Sequence, residues 1–272
     1  MLWDPVTADL KRMFWSAAVW SHSIALSPDG EVLATAGNLS DSLFWNIGSG
    51  ERIGPIAELP GPRPQLAFLP SGWILAFPFK KAMISRVNPS TRQVHHLPVA
   101  RSVVTDCIAV ARNGKTFARG LEDGTIEVWE TETFRILATL PHNRRVRALA
   151  FSPSGRTLAA ISNHDRDIIL WDLDRGIRRL CFLTPASEPS SLAYSCDGSA
   201  LAVGAIDGAI TLWNPADGQM KKTFQAHYRG AHGLAFSPDG TILATGGAAL
   251  SDSHEPEVKL WKTCELMRAP PD

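Results

Sequence analysis

A seven-residue stretch that returns along the chain decides the fold. DGTIEVW at residues 123–129 recurs as DGAITLW at residues 207–213. In each copy an Asp-Gly turn precedes a strand whose successive side chains face opposite sides of a sheet. The tryptophan that closes each copy belongs to a column spaced by 42 residues or a multiple of 42, formed by Trp3, Trp45, Trp129, Trp171 and Trp213. A fixed period of this length indicates an array of repeated supersecondary units.

Two irregularities interrupt the column. Val87 stands where one tryptophan is due, and Trp261 follows Trp213 by 48 residues instead of 42. The longer interval places a six-residue insertion within AALSDSHEPE at residues 248–257.

A second column of turn motifs repeats in step with the first. SPDG (27–30), SPSG (152–155) and SCDG (195–198) each place a glycine after Asp or Ser, as a tight β-hairpin turn requires. Apolar runs lead into and out of these turns, which gives four short strands to each unit of about 42 residues. We therefore predict an all-β propeller of four-stranded antiparallel blades. A β-sandwich does not predict a constant period, and a helical solenoid needs a 3.6-residue period. The six glycines of this column are Gly30, Gly72, Gly114, Gly155, Gly198 and Gly240.

With both columns in view, the chain resembles the WD-repeat propellers over nearly its whole length, and most closely the SPDG-rich arrays common in bacteria. The literal Trp-Asp pair stands at Trp3-Asp4 and at Trp171-Asp172, whereas the family's Gly-His pair is missing. The resemblance implies a polar brace within one blade, made by His142, Asp165 and Trp171. It assigns structural roles to the tryptophans Trp3, Trp45, Trp129, Trp171, Trp213 and Trp261, the turn residues Asp123, Asp165 and Asp207, and the histidines His142 and His227.

The two columns differ in length, because the tryptophan column has seven positions and the glycine column has six. We expect one domain, 1–272, that begins with a partial blade at 1–20, where Leu2-Trp3 is a third strand and Arg12–Trp15 a fourth. The favoured closure is a seven-slot ring with one incomplete blade, finished by a partner or by sequence absent from this chain. The alternative is six blades, with Arg12–Trp15 pairing beside the strand that ends at Trp261. The successive repeats are predicted at 21–62, 63–104, 105–145, 146–188, 189–230 and 231–269.

Composition narrows the class of protein. Lys+Arg and Asp+Glu number 27 each, and this balance argues against binding to nucleic acid or to an anionic membrane. No stretch approaches the roughly 20 apolar residues of a membrane span. Four scattered cysteines without a C-x-x-C pair indicate reduced thiols. We therefore expect a cytoplasmic, bacterial protein; its oligomeric state stays open.

Three stretches imitate chemical motifs, and each has a simpler explanation. Gly114-Lys115-Thr116 lacks the upstream glycine of a phosphate-binding loop, since Ala109 stands there. Residues 172–176, DLDRG, lack the downstream glutamate of a calcium loop. His95 and His96 are neighbours on a predicted strand and point to opposite faces. We therefore predict no catalytic, cofactor-binding or metal-ligating residues.

Binding is expected on the face that collects the second turn of each blade and the loops between blades. In the loop 141–147, the repeat register places Arg144 and Arg145 beside His164 and Arg166. In the loop 227–232, it places Tyr228 and Arg229 beside the insertion, which carries His254. Tyrosine and arginine are frequent at interface hot spots. The competing interpretation is that these charges are simply solvated loop residues.

The function predicted from these residues is a non-catalytic scaffold for protein–protein interaction, which presents a rigid propeller face to an unidentified protein or peptide. The alternative is a sensor or regulatory module, or a fragment, of a larger bacterial signalling protein.

Overall fold

The computed structural model describes residues 2–4, 7, 9–14, 21–37, 42–55, 64–77, 83–99, 103–142, 144–185, 187–247 and 257–266. The chain divides into two compact units, Met1–Gly114 and Lys115–Asp272. Regular structure in the described residues consists of 25 short strands and one four-residue helical turn.

The first unit contains a two-stranded sheet, β1-β2, and two four-stranded sheets, β3-β4-β5-β6 and β7-β8-β9-β10, all antiparallel and in chain order. Its strands are β1 (Leu2–Trp3), β2 (Leu10–Arg12), β3 (Ser21–Leu26), β4 (Val32–Gly37), β5 (Leu43–Asn46), β6 (Arg52–Pro55), β7 (Gln65–Phe68), β8 (Ile74–Phe77), β9 (Met83–Val87), β10 (Val94–Pro98) and β11 (Thr105–Val110).

The second unit continues the same pattern, and its strands again pair in chain order: β12-β13-β14, β15-β16-β17-β18, β19-β20-β21-β22 and β23-β24-β25. Its strands are β12 (Thr116–Leu121), β13 (Thr125–Glu130), β14 (Ile136–Pro141), β15 (Val146–Phe151), β16 (Thr157–Ser162), β17 (Asp167–Asp172), β18 (Ile177–Leu183), β19 (Pro189–Tyr194), β20 (Leu201–Ala205), β21 (Ala209–Trp213), β22 (Met220–Gln225), β23 (Ala231–Phe236), β24 (Ile242–Gly247) and β25 (Val258–Lys262); helix α1 spans Thr263–Leu266.

The predicted fold class is confirmed. The chain is an all-β propeller of antiparallel blades, and the six sheets from β3 to β25 match the six-blade count given as the alternative. In the predicted partial blade, β1 pairs with β2. Trp15, which the six-blade closure invoked, lies outside the described residues.

The Ser-Cys-Asp-Gly turn shows why the glycine column forms hairpins. Ser195 Oγ donates to Asp197 Oδ1 at 2.6 Å, and the amide of Ser199 donates to the same oxygen at 3.0 Å. These hydrogen bonds favour the ionised carboxylate and lower the pKa of Asp197 to about 2. Gly198 has a φ of 74°, a conformation that other residues rarely adopt.

Apolar side chains fill the space between neighbouring sheets. Ile168 and Leu170 of β17 form one buried cluster with Leu201 and Val203 of β20. Trp213 joins this cluster with 4% of its surface exposed. Burying a tryptophan removes on the order of 200 Å² from water, which contributes at most about 5 kcal/mol. Trp45, Trp129 and Trp171 are likewise buried, Trp261 is half-buried, and the side chain of Trp3 is not described.

The predicted brace of His142, Asp165 and Trp171 does not form, and this expectation was wrong. His142 is 2% exposed, yet neither of its ring nitrogens has a hydrogen-bond partner among the described residues, and the same holds for Trp171 Nε1. Asp165 instead accepts from the amide of Arg166 at 2.8 Å. Burial is the main cause that lowers the pKa of His142 to about 4.

A complete brace lies in the last sheet instead. His227 Nε2 lies 2.8 Å from Thr245 Oγ1, and Trp261 Nε1 donates to that oxygen at 3.0 Å. The other ring nitrogen, Nδ1, lies 3.2 Å from Glu257 Oε2. Thr245 therefore joins the histidine to the tryptophan, and the position paired in the same way with the third strand of the His142 repeat is Ala160. Alanine has no acceptor to offer, which explains the missing brace.

Candidate functional site

The predicted interaction face lies at the ends of strands in the second unit, where Asp-Gly turns hold the loops between blades. The amide of His142 donates to the carbonyl oxygen of Gly124 at 2.8 Å. Gly124 has a φ of 84°, and a Cβ at this position would lie 2.9 Å from the backbone nitrogen of Arg144. The sequence Asp-Gly therefore both makes the turn and leaves room for the loop that carries Arg144.

The same device places the loop of Tyr228. Gly208 has a φ of 86°, and a Cβ there would lie 2.0 Å from the carbonyl oxygen of His227. The amide of Gly230 donates to the carbonyl oxygen of Ile206 at 2.9 Å. Residues 227–230 are thus fixed to the second turn of the preceding blade by backbone contacts at both ends.

Arg144 and the turn at 163–166 come together as the sequence predicted. Arg144 Nε lies 3.6 Å from Asp165 Oδ2, and the amide of Asn163 donates to the carbonyl oxygen of Arg145 at 3.0 Å. The Arg144 side chain is 58% exposed, so the ion pair orients the guanidinium in water and adds little stability.

His164 and Glu188 connect this turn to the next loop. His164 has a φ of 57°, in the left-handed region. Its amide lies 3.3 Å from Glu188 Oε2 and its Nδ1 lies 3.3 Å from Glu188 Oε1. The amide of Thr184 donates to the carbonyl oxygen of Arg166 at 3.0 Å. Because the histidine backbone adopts an unusual conformation, its ring stands out from the turn next to Glu188.

Further along, Ser187 and Asp207 extend the connection. The amide of Ser187 donates to Asp207 Oδ2 at 3.2 Å, and the amide of Asp207 donates to Ser187 Oγ at 3.0 Å. Successive loops and turns are therefore joined into one continuous surface.

A cavity of about 560 Å³ lies in this surface. Its apolar part consists of Leu183 and Ile206, which are 62% and 41% exposed. Exposed apolar side chains set among charges are typical of a binding surface. Tyr228 is 79% exposed. It lies in the loop 227–230, in which the amide of Gly230 contacts Ile206. We call the following set the loop surface: Arg144, Arg145, His164, Asp165, Arg166, Leu183, Ser187, Glu188, Ile206, Tyr228 and Arg229.

Part of the predicted site falls elsewhere. His254 lies outside the described residues, as does the insertion up to residue 256. Glu257, expected near Arg229, contacts His227 and Lys259, the latter with 3.0 Å between Oε1 and Nζ. Sequence reasoning missed Leu183, Ser187, Glu188 and Ile206. Only Ile206 carries a signal, since a large apolar residue stands directly before an Asp-Gly turn that must face solvent.

The side chains of the loop surface are suited to noncovalent contact with a partner. Within the described ranges, no group of three or more His, Cys, Asp or Glu side chains is arranged to hold a metal ion. The four cysteines are free thiols, and burial raises the pKa of the Cys181 thiol. None of the described helices is long and apolar enough to cross a membrane.

Three segments of the chain match a known repeat family. Residues 134–172, 180–214 and 218–262 match the WD40 family, described as WD domain, G-beta repeat. The matched segments cover strands β14 to β25 except the first three residues of β18, and the repeat period and blade topology extend the same pattern to the rest of the chain.

Curated relatives are longer than this chain. It is 30% identical over 210 residues to the periodic tryptophan protein 2 homolog of Dictyostelium discoideum, and the match covers 71% of this chain and 21% of that protein. It is 31% identical over 143 residues to pre-mRNA-processing factor 19 of Schizosaccharomyces pombe, with 49% of this chain and 28% of that protein covered. The chain thus spans between a fifth and a third of these relatives. Both relatives are eukaryotic, so the expected closeness to bacterial arrays has no support here. Residues 134–172, 180–214 and 218–262 are therefore similar to WD40 repeats, and the rest of the chain has the same antiparallel blade topology.

Proposed function

We propose that this chain is a non-catalytic interaction platform, and that it binds a protein or peptide through the loop surface. The observation that carries the proposal is the cavity in which exposed Leu183 and Ile206 lie among charged side chains. Covering these two side chains would remove apolar area from water, at about 25 cal/mol per Å². The charged rim would orient the partner and exclude poorly matched ones.

The way in which the surface is held favours binding. The loops that carry Arg144 and Tyr228 are joined by backbone hydrogen bonds to Asn163 and Ile206, which directly follow strands β16 and β20. A surface that is already ordered loses little conformational entropy when a partner docks. Rigid strands with short pinned loops therefore suit a scaffold.

A catalytic role has less support. The only acid–base pair lining the cavity in the described part of the chain is His164 with Glu188, and their side chains are 80% and 37% exposed. Acid–base catalysis generally uses groups in a drier environment, where neighbouring charges and burial can tune them.

The proposal is tested by reversing charge on the loop surface. We expect Arg144→Glu/Arg145→Glu to lower the affinity for a partner captured from native lysate by about tenfold or more, because both charges belong to the loop surface and Arg144 pairs with Asp165 of the cavity. A control with the same change of charge is Arg156→Glu/Arg175→Glu, on turns at the opposite end of the β15–β18 sheet. The control should bind like the wild type, and both variants should keep the wild-type melting temperature. A partner held equally by all three proteins would contradict the proposed surface.

The alternative function is a sensor or regulatory module within a larger protein. The observation that favours it is that the chain spans only 21% of the first relative named above. The relatives give no support to the specific expectation of a bacterial signalling protein. A catalytic coding region fused to this chain in the same reading frame would favour the module. A cytoplasmic location remains part of the proposal and is testable by imaging a tagged chain.

A further inference from the structure

The cavity in the loop surface has an arginine beside the first of its two apolar residues. Leu183 of β18 pairs with Asp167 of β17, and Arg166 directly precedes Asp167. The amide of Thr184 donates to the carbonyl oxygen of Arg166 at 3.0 Å, which holds the two stretches of chain together at this point. Arg166 and Leu183 therefore line the cavity as neighbours.

The second apolar residue, Ile206, also has an arginine on a neighbouring loop. The amide of Gly230 donates to the carbonyl oxygen of Ile206 at 2.9 Å, and Arg229 is the residue before Gly230. The side chains of Arg166 and Arg229 are both exposed. Each of the two apolar residues is thus accompanied by an exposed arginine.

The two carboxylates of the loop surface are already bound by groups of the surface itself. Asp165 Oδ1 accepts from the amide of Arg166 at 2.8 Å, and Asp165 Oδ2 lies 3.6 Å from Arg144 Nε. Both oxygens of Glu188 contact His164, one at the amide and the other at Nδ1. Neither carboxylate forms an ion pair with the guanidinium of Arg166.

Asp207, which is joined to the cavity through Ser187, is engaged in a similar way. Asp207 Oδ2 accepts from the amide of Ser187 at 3.2 Å, and Oδ1 accepts from the amide of Ala209 at 3.0 Å. In the part of the chain that the structure describes, neither Arg166 nor Arg229 is paired with a carboxylate. Two exposed cations therefore accompany the apolar part of the cavity without a counter-charge from the surface itself.

We infer that the loop surface binds an acidic peptide. Apolar side chains of the peptide cover Leu183 and Ile206, and carboxylates of its aspartate or glutamate residues pair with the two arginines. The inference rests on the proposed function, since it names the kind of partner for the same surface. Hydrogen bonds between arginine and carboxylate are charge-assisted and stronger than those between neutral groups. A basic peptide would instead bring like charges together at Arg166 and at Arg229, which opposes binding.

The placement of the two arginines favours carboxylates over phosphate groups. Arg166 belongs to the turn between β16 and β17, whereas Arg229 belongs to the loop that precedes β23. A phosphorylated side chain carries nearly two negative charges and is typically bound by a cluster of arginines. Single arginines on different loops suit single carboxylates, one for each loop.

The first test lets the surface select its own ligand. A library of short random peptides displayed on phage is selected on the full chain, and the enriched peptides are sequenced. We expect aspartate and glutamate to be enriched about threefold or more over the starting library, because each carboxylate gains a charged partner. With Arg166→Gln/Arg229→Gln this enrichment should disappear, while apolar residues stay enriched. The matched control, Arg156→Gln/Arg175→Gln on the turns at the opposite end of the β15–β18 sheet, should select the same acidic peptides as the wild type.

The outcomes of this selection separate the inference from the proposed function. Peptides that Leu183→Ser/Ile206→Ser no longer retains, but that carry no excess of acidic residues, would overturn the inference and leave the proposed surface standing. An acidic excess that persists with Arg166→Gln/Arg229→Gln would also overturn it. If no enriched peptide depends on Leu183 and Ile206, the proposed surface is contradicted, and the inference falls with it.

The second test exchanges the charges of one contact. The tightest acidic peptide is labelled with a fluorophore, and its affinity for the wild type and for Arg166→Glu is measured by fluorescence anisotropy. We expect Arg166→Glu to weaken binding by about tenfold or more. When lysine replaces the acidic residues of the peptide one at a time, one of these peptides should regain most of the lost affinity for Arg166→Glu and bind the wild type less tightly. No loss with Arg166→Glu, or no lysine peptide that prefers this variant, would overturn the inference.

Discussion

Two histidines at equivalent places in two of the repeats have opposite surroundings. His142 and His227 are both 2% exposed, and each precedes a sheet whose third strand contains a tryptophan next to its last residue. His227 shares Thr245 with its tryptophan, whereas the ring nitrogens of His142 and Trp171 have no hydrogen-bond partner in the described part of the chain. The histidine and tryptophan are therefore not sufficient for the brace. The brace also requires a hydroxyl on the second strand of the sheet, which Thr245 supplies in β24.

The comparison also shows how a repeat tolerates an imperfect unit. A buried donor without a partner costs about 1–3 kcal/mol. The His142 repeat keeps Ile168 and Leu170 fully buried in the adjoining cluster, and this apolar packing offsets the cost. The hydrogen bonding of buried polar groups therefore varies between repeats, whereas the apolar packing between neighbouring sheets is maintained.

The largest expected effect comes from breaking the complete brace. Thr245→Val removes the oxygen that both His227 and Trp261 contact, and it leaves the buried Nε2 of His227 and the half-buried Nε1 of Trp261 without this partner. We expect the free energy of unfolding to fall by about 4 kcal/mol, measured by urea denaturation. The control is Thr211→Val, which affects Trp213 alone and should cost about half as much. Equal losses for the two variants would contradict a shared role for Thr245.

A second prediction concerns the pH dependence of stability that arises from His142. The pKa of His142 is about 4 in the folded chain, below its ordinary value near 6.5, because burial disfavours the charged ring. Between these values the unfolded chain binds the proton and the folded chain does not, so stability falls as pH decreases from 6.5 to 4. The loss reaches about 3 kcal/mol for a shift of this size.

Denaturation curves at several pH values check the second prediction. His142→Phe cannot be protonated, so its stability should depend less on pH across this range than that of the wild type. If the variant and the wild type lose stability in parallel, the pH dependence arises elsewhere.

The smallest expected effect comes from completing the brace at His142. Ala160→Thr places a hydroxyl at the position equivalent to Thr245, within reach of His142 and Trp171. We expect a gain of about 1 kcal/mol, because new hydrogen bonds are partly offset by the crowding of a fully buried site. Ala160→Val has the same shape without the hydroxyl and should destabilise the chain. A gain with valine equal to that with threonine would show that packing alone is responsible.

Much of the loop surface was accessible to sequence reasoning, and part of it was not. The register of the repeat places Arg144 and the turn at 164–166 on the same face, and the structure brings Arg144 to Asp165. Leu183 and Glu188 carry no periodic signal, because one ends a strand and the other lies in an irregular loop. Their part in the cavity depends on how loops of successive blades fold over one another, which no local pattern encodes.

The sequence by itself determined the period, the turns and the buried face of each strand. These follow from local preferences: glycine permits the left-handed turn at Gly198, and alternation assigns Ile168 and Leu170 to one side of a sheet. Tertiary structure alone decided which polar side chains find partners. A hydrogen bond requires two atoms about 3 Å apart, and whether Thr245 or Ala160 faces a histidine depends on the pairing of strands distant in sequence.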